Sequence, residues 1–525
     1  MKTLESLDYI VFFSYFIIVL AIAFYASIKP KGQNRNTEDY FLAGRNLPWW
    51  IIGASLIASN ISTEQIIGMN GTAFESGIAV ISYSLIGGAI SILIVGKYFL
   101  PMFLKEKIYS MPEFLERRYG SNVSITMGVF WILVFIFVNL TSVLSLGAIT
   151  LEVVLGIPII YSVIFLAFFS GIYTIYGGLS AIAWTDFIQV GVLIIGGISV
   201  VWLGLDQIAI KYDDNNLFGG FSNLLLNQAD KFHTVLPANH VELPWTGVFF
   251  GGLWIAALSY WGCNQYIIQR ALAAKNLKEA QHGLLFASVL SIIISIIIVA
   301  PGLIANELYG NQITARDEAF PFLIRELLPR GYSGLVIAAL IAAIISSLNS
   351  ICNSVATIFT MDVYKKLINP KAKDYKLILT GRIVTAIALI LAVLVTPTIT
   401  KMGRLFSFIQ EYSGFVTPGV LCVFLLGLFW EKTSSKAALS VVLLTIPFSV
   451  FFKFIFPELG FLNRMSLTFI TLTILAITLS LNAEPLKKSP QNLSSNDISY
   501  KTSIIYNIGS LILISLTTVF YIVFK

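Results

Sequence analysis

The 525-residue sequence predicts an all-α protein that crosses a lipid bilayer about fourteen times. Three observations carry this. Hydrophobic residues make up 57% of the chain and charged residues 12%, against roughly 45–50% and about 25% in a soluble domain. So few charges cannot cover a water-facing surface, so lipid must be the main solvent. Apolar stretches of about 20 residues, the length of one helical crossing, recur from end to end. Between them no polar segment exceeds about 40 residues, too short for a separate nucleotide-binding domain.

In chain order the stretches centre near residues 8–28, 48–70, 77–103, 124–150, 157–176, 183–205, 245–269, 280–305, 333–362, 377–396, 405–430, 436–455, 464–482 and 503–523. The first, from Tyr9 to Ile28, is too long for the core of a secretory signal. It runs into Lys29, Lys31 and Arg35 without a clear small-residue cleavage site, and is read as a retained span.

Basic residues set the orientation. Loops after odd-numbered spans hold about 23 of the 34 Lys and Arg, those after even-numbered spans about nine. The first group includes Arg45, Lys105, Lys107, Arg117, Arg118, Lys275, Lys278, Lys365, Lys366, Lys371 and Lys373. The positive-inside rule places the odd loops in the cytoplasm and both termini outside. The net charge of +6 is this topology signal. It is spread over separate loops and forms no stripe for nucleic acid.

Several classes drop out. There is no G-x-x-x-x-G-K-[S/T] phosphate loop, which argues against a nucleotide-driven pump. No nucleophile–base–acid set is evident, so the chain is not read as an enzyme. Cys263, Cys352 and Cys422 lie in or beside spans, with no metal-ligand spacing and no even disulfide framework. His233, His240 and His282 are too few and scattered for a metal cluster; the first two fall in the loop 206–244 and read as solvated. A carrier, a channel, and a non-transporting sensor or scaffold remain.

The polar interruptions favour a carrier. Six of the seven residues from Ser59 to Gln65 in the second span are polar. Irregular backbone at membrane depth is tolerated only where it lines a cavity or is buried in protein. A helix broken there exposes carbonyls from its first half and amides from its second, both suited to ion and solute sites. The alternative is a polar stripe bonded to a neighbouring helix, against which stands the cost of burying Glu64 for packing alone. In the ninth span, Ser346 and Ser347 interrupt an apolar run. Each could back-bond within its helix, or join carbonyls of the second span in the all-oxygen shell a hard cation prefers. The seventh span, from Ser259 to Arg270, sets Tyr260 and Trp261 beside Gly262, Asn264 and Gln265. They read either as a surface for a sugar-like ring or as an interfacial aromatic belt. The eleventh adds Phe406, Gln410, Glu411 and Tyr412. Asp186, at the start of the sixth, either favours a helix N-terminus or stands on a cation exit path.

Taken together these segments resemble the sodium/solute symporter family, and its bacterial sugar-carrying members in particular. The resemblance rests on Thr37–Gly44, Gly53–Gln65, Val95–Pro101, Phe137–Val143, Ile175–Ser180 with Trp184–Asp186, Trp261–Arg270, Ala356–Asp362 and Ile409–Tyr412. It covers nearly the whole chain, read as a single polytopic domain, 1–525. It implies two inverted five-helix repeats with discontinuous helices at the core, here about 48–205 and 245–430, with peripheral helices at 8–28, 436–455, 464–482 and 503–523. The family's sodium site maps onto the carbonyls of Ala58, Ile61 and Ala343 and the hydroxyls of Ser346 and Ser347, with Asp186 on the ion's release path. Sodium, the coupling ion, is the only metal implied.

The sugar pocket implied by the resemblance comprises Asn60, Gln65, Met69, Tyr83, Asn139, Trp261, Phe406 and Gln410, with Tyr260 covering the solute from the cytoplasmic side. Four positions depart from the family's pattern. A glutamate is replaced by Ser84, a serine by Gly87, an asparagine by Ala257 and a lysine by Ser291. Losing one charge of each sign leaves the pocket's net charge unchanged, and every replacement is smaller. The expected cargo is therefore a neutral solute, a sugar first. Galactose is expected to bind weakly, a bulkier sugar, acetamido sugar or polyol better. An amino-acid or sialic-acid symporter is the runner-up, although a carboxylate solute would call for a cation where Ser291 stands.

Overall fold

The computed structural model describes residues 6–27, 36–62, 64–214, 216–329, 332–399, 405–482 and 498–525. Among them the chain is helical throughout, the one β feature being an isolated bridge between Leu47 and Ala274. Among the described residues ten helices are long and apolar enough to cross a membrane, so the chain is a multi-pass membrane protein. The expected fourteen spans are not recovered by that count. Four of the stretches lie outside it: 8–28, where the helix Ser6–Ser27 runs, 157–176, where the apolar helix is the shorter Ile159–Ile172, and 48–70 and 245–269, which are broken.

The breaks have local causes. The helix Trp49–Asn60 stops at Ile61 (φ −77°, ψ 84°), and a π-helical turn, Glu64–Met69, restarts it. The same stretch then turns at Gly77, whose φ of 79° suits glycine, before continuing to Tyr98. In the second half, Gly252–Cys263 ends where Asn264 becomes extended (ψ 123°); the Asn264 side chain caps the next helix, Gln265–Leu272, by accepting from Tyr266 N–H at 3.3 Å. Gly178, at φ 65° and ψ −162°, divides the long helical stretch Ile159–Lys211 in two. A Cβ at Gly178 would lie 2.5 Å from the Tyr40 carbonyl oxygen, so glycine is required twice over.

Burial separates core from periphery. The most apolar window of Ser333–Ile368 is 94% buried, that of Ile504–Val523 only 17%. Around Ser333–Ile368 pack Trp49–Asn60, Gly178–Lys211 and Gln265–Leu272, and the last three elements also touch Leu277–Tyr309. With no hydrophobic drive between helices in lipid, side-chain packing and interhelical hydrogen bonds must hold this bundle together.

Ion pairs gather the loops into two ends. At one end Arg45 pairs with Glu38 at 2.6 Å and donates to the carbonyls of Leu272, Lys107 and Ile108, while Lys366 bridges Glu116 and Asp362. These residues belong to loops one, three, seven and nine. At the other end Arg316 holds Glu75 at 2.7 Å and Glu242 at 3.2 Å, joining loops two, six and eight. Burial works against the Arg316 charge, but the attraction of Glu242 and the bonds to Glu75 and Glu242 outweigh it and hold the guanidinium above its usual pKa range. These contacts thus join odd loops to odd and even loops to even, as alternating crossings require.

Candidate functional site

The break at Ile61 opens onto two cavities. In a continuing helix the Ser62 N–H would bond to the Ala58 carbonyl; instead it donates to the Asn60 carbonyl at 2.9 Å. The Gln65 N–H likewise donates to Ser62 at 3.1 Å and not to Ile61. The carbonyls of Ala58 and Ile61 are thereby released from the ladder. Both residues line a small recess of about 10 Å³ together with Ala343, Gln189, Val190 and Leu193.

Ser346 and Ser347 follow Ala343 by one turn. Ser346 Oγ donates to Asp186 Oδ1 at 2.6 Å, which leaves its lone pairs free. Ser347 Oγ is buried with no hydrogen-bond partner, and so is Gln189 Oε1. Unpaired oxygens are rare in a protein interior, and each asks for an explanation. Neutral oxygens of this kind are what a hard monovalent cation prefers, and Ala58, Ile61, Ala343 and Gln189 line one recess.

Asp186 does not sit at a helix end: it is fully buried, two turns into Gly178–Lys211, which removes the helix N-terminus reading. Its carboxylate also accepts from Ser55 Oγ at 2.5 Å and faces Arg270 at 3.6 Å. Arg270, with no exposed surface, donates to Ser55 Oγ at 3.0 Å, to Ser350 Oγ and to the Tyr266 carbonyl. This polar knot joins four core elements beside the recess. A buried charge needs such partners, because an uncompensated one is costly.

The second cavity, of about 150 Å³, lies on the other face of the break. It is lined by Asn60, Gln65, Met69, Tyr83, Ser84, Gly87, Asn139, Ala257, Tyr260, Trp261, Ser291 and Gln410, which come from six separate stretches of sequence. The backbone of Phe406 belongs to the helix Leu405–Ser413, but its side chain lies outside the described residues. Trp261 Nε1 donates to the Gly87 carbonyl at 2.7 Å, so its indole N–H is engaged while its ring faces the cavity. Tyr260 stands edge-on to Trp261 (centroids 5.3 Å apart) and to Tyr266 (5.8 Å). Ser62 N–H and Oγ both donate to Gln65 Oε1, at 3.1 and 2.7 Å, leaving the Gln65 amide to donate into the cavity. Ser291 Oγ reaches the Ser84 carbonyl at 3.0 Å. Two of the departing positions thus close on each other.

Two polar residues singled out in the sequence go elsewhere. Gln265 accepts from Met111 N–H at 2.8 Å and donates to the Tyr109 carbonyl at 3.2 Å, bracing the loop after the third span. Glu411 pairs with Arg464 at 2.7 Å and Lys453 at 3.2 Å. The sequence reading missed Gln189, Arg270 and Ser55, and it gave Glu64 and Tyr266 no place in the solute site, although both line the larger cavity; Asn264, read beside Tyr260 and Trp261 as part of a sugar-facing surface, lines it too. Gln189 carries one available signal: it follows Asp186 at i+3, on the same helix face.

Fold and cavities define the class as a polytopic membrane carrier. The chain belongs to the sodium:solute symporter family, whose sequence profile matches residues 40–444. It is 43% identical to a sodium/glucose cotransporter of Vibrio parahaemolyticus, over 99% of this chain and 98% of that one. It is 34% identical to sodium/myo-inositol cotransporter 2 of Sus scrofa, over 87% of this chain and 72% of the relative. Among solved structures, a Na⁺-coupled sialic acid symporter in a substrate-bound outward-open state superposes with a TM-score of 0.79, covering 92% of this chain and 99% of that one. At 23% identity that likeness is one of fold. As a family member the protein is a sodium-coupled symporter, with Na⁺ as its coupling ion.

Proposed function

We propose that this protein imports a neutral sugar or polyol with sodium across a bacterial inner membrane, both termini lying outside, and performs no catalysis. The observation that carries the reading is the single break at Ile61. It turns Ala58 and Ile61 toward the small recess and Asn60 and Gln65 toward the large cavity. Ion and solute therefore bear on one irregular segment. Sodium is held by the carbonyls of Ala58, Ile61 and Ala343 and the hydroxyls of Ser346 and Ser347, and leaves past Asp186. The solute lies against Trp261 and Tyr260, with amide groups from Asn60, Gln65, Asn139 and Gln410 around it.

The substrate class follows from this wall. Amides and hydroxyls offer both donors and acceptors, which suits a ring carrying many hydroxyls. Glucose and myo-inositol, named for the two relatives, are both neutral and polyhydroxylated. Of the four smaller residues, Ser291 is engaged by the Ser84 carbonyl, while Gly87 and Ala257 offer no polar group of their own to the solute. A Cβ on Gly87 would stand 3.4 Å from Leu253 and 3.8 Å from Ala257, ordinary packing distances. Rocking of the two inverted repeats, about 48–205 and 245–430, alternates access.

Uptake into proteoliposomes under an inward sodium gradient tests the reading. Saturable, sodium-dependent accumulation is expected, with inositols or N-acetylated sugars taken up better than galactose. Sodium-independent equilibration would mark a channel, and preference for galactose would overturn the assignment of Gly87 and Ala257.

A further inference from the structure

Glu64 lines the solute cavity, and among the described lining residues it is the one charged side chain. Its carboxylate makes no hydrogen bond or ion pair among the described residues; its own N–H donates to Ser62 Oγ at 3.1 Å. The nearby cation of the core, Arg270, is engaged by Asp186, Ser55, Ser350 and the Tyr266 carbonyl. The cations Arg464 and Lys453 are taken by Glu411. A charge so deep in a membrane protein is expensive and usually functional. Its position in the first turn after the break offsets part of that cost, because the amides at the start of Glu64–Met69 present partial positive charge.

We infer that Glu64 contacts the solute and determines its permitted charge: it accepts hydrogen bonds from hydroxyl or ammonium groups and excludes anions. An ionised carboxylate only accepts, so every donor a solute offers it is a charge-assisted bond. A carboxylate on the solute meets a like charge in a wall that contains no compensating Lys or Arg among the described residues. With Ser84 and Ser291 meeting through the Ser84 carbonyl, neither adds a formal charge. With Glu64 ionised, the cavity carries one negative charge, admits neutral polyols and amino sugars, and rejects uronic and sialic acids. This rests on the sugar or polyol reading above.

The test uses the full-length protein in proteoliposomes with a sodium gradient and a radiolabelled neutral hexose or inositol. Competitors are the parent ring, its aminodeoxy analogue and its uronate. In the wild type the amino analogue should compete at least as well as the parent, and the uronate at least about tenfold more weakly. Glu64→Gln, which keeps shape and polarity, should bring all three within about threefold. Glu64→Asp should retain the wild-type order, which separates charge from fold, and sodium-dependent thermal stability reports whether each variant is folded. A uronate that competes as well as the parent ring in the wild type, or ratios unchanged in Glu64→Gln, overturns the role of Glu64 and leaves the sugar reading standing. If no neutral ring accumulates under a sodium gradient, the sugar reading fails and this inference fails with it.

Discussion

Ser347→Ala and Ser346→Ala form a matched pair whose effects should diverge. Ser347 is 1% exposed, and its hydroxyl has no protein partner. Burying an unsatisfied hydroxyl costs about 1–3 kcal/mol. Removing it should leave the sodium-free protein as stable as the wild type or slightly more so. As an ion ligand the same oxygen should contribute about 1.5–3 kcal/mol, as bonds to charged groups do, or roughly ten- to hundredfold in sodium affinity. Ser346 differs because its hydroxyl donates to Asp186 at 2.6 Å. Its loss weakens the shell of a buried carboxylate and should lower stability by about 1.5–3 kcal/mol as well as sodium affinity. Thermal unfolding in detergent with and without sodium, together with the sodium dependence of initial uptake, reads both quantities. An unchanged sodium half-saturation in Ser347→Ala, or a loss of stability equal to that of Ser346→Ala, would refute the assignment.

Arg270→Met leaves Asp186 buried without its cation and should cost about 3–5 kcal/mol. Adding Asp186→Asn should recover part of the loss in a double-mutant cycle by denaturation, and additive effects would contradict the pairing. Gly178→Ala places a Cβ 2.5 Å from the Tyr40 carbonyl and forces a side chain into a glycine-only conformation. A loss of at least about 1–3 kcal/mol should show as a lower melting temperature or reduced yield of folded protein. Trp261→Phe keeps an aromatic face but removes the 2.7 Å bond to Gly87. The solute half-saturation should rise several-fold, about 1 kcal/mol, while sodium binding without solute stays as it was.

What the sequence makes legible is local. A run such as Ser59–Gln65 stands out because polar residues inside an apolar span violate the rule that hydrocarbon imposes on backbone and side chain alike. The structure does break there, and its carbonyls are freed by the amides of Ser62 and Gln65 turning to other acceptors. The glycines that turn the chain at 77 and 178 are visible as residues, but their positive φ is not. Pairings between distant spans are less legible. Nothing near Arg270 in the chain announces Asp186 as its partner, and Glu411 gives no sign that Arg464 and Lys453 neutralise it, because both outcomes depend on helix rotation. Gln265 and Gln410 are both polar interruptions of apolar spans, yet one braces a loop and the other faces the cavity. The resemblance to a family drew together the pocket residues that hydropathy alone leaves scattered, but it said nothing of Glu64.

Glu64 also bears on why sodium and solute should travel together. The break puts the released carbonyl of Ile61 three residues before an unneutralised carboxylate. On the proposed assignment, a sodium ion held by the Ile61 carbonyl would add positive charge to the segment that bears Glu64 and would lower the electrostatic cost of leaving that carboxylate ionised in the cavity. It also ties down a segment that no helical ladder holds, so Asn60 and Gln65 are positioned before the solute arrives. On the same assignment the solute, by bonding to Asn60, Glu64 and Gln65, would stiffen the same segment from its other face and favour the arrangement of Ala58 and Ile61 proposed to hold sodium. Coupling of this kind is reciprocal: whatever factor sodium contributes to solute affinity, the solute must contribute to sodium affinity. Such coupling would need no distant relay, because both proposed sites draw on the residues between Ala58 and Gln65.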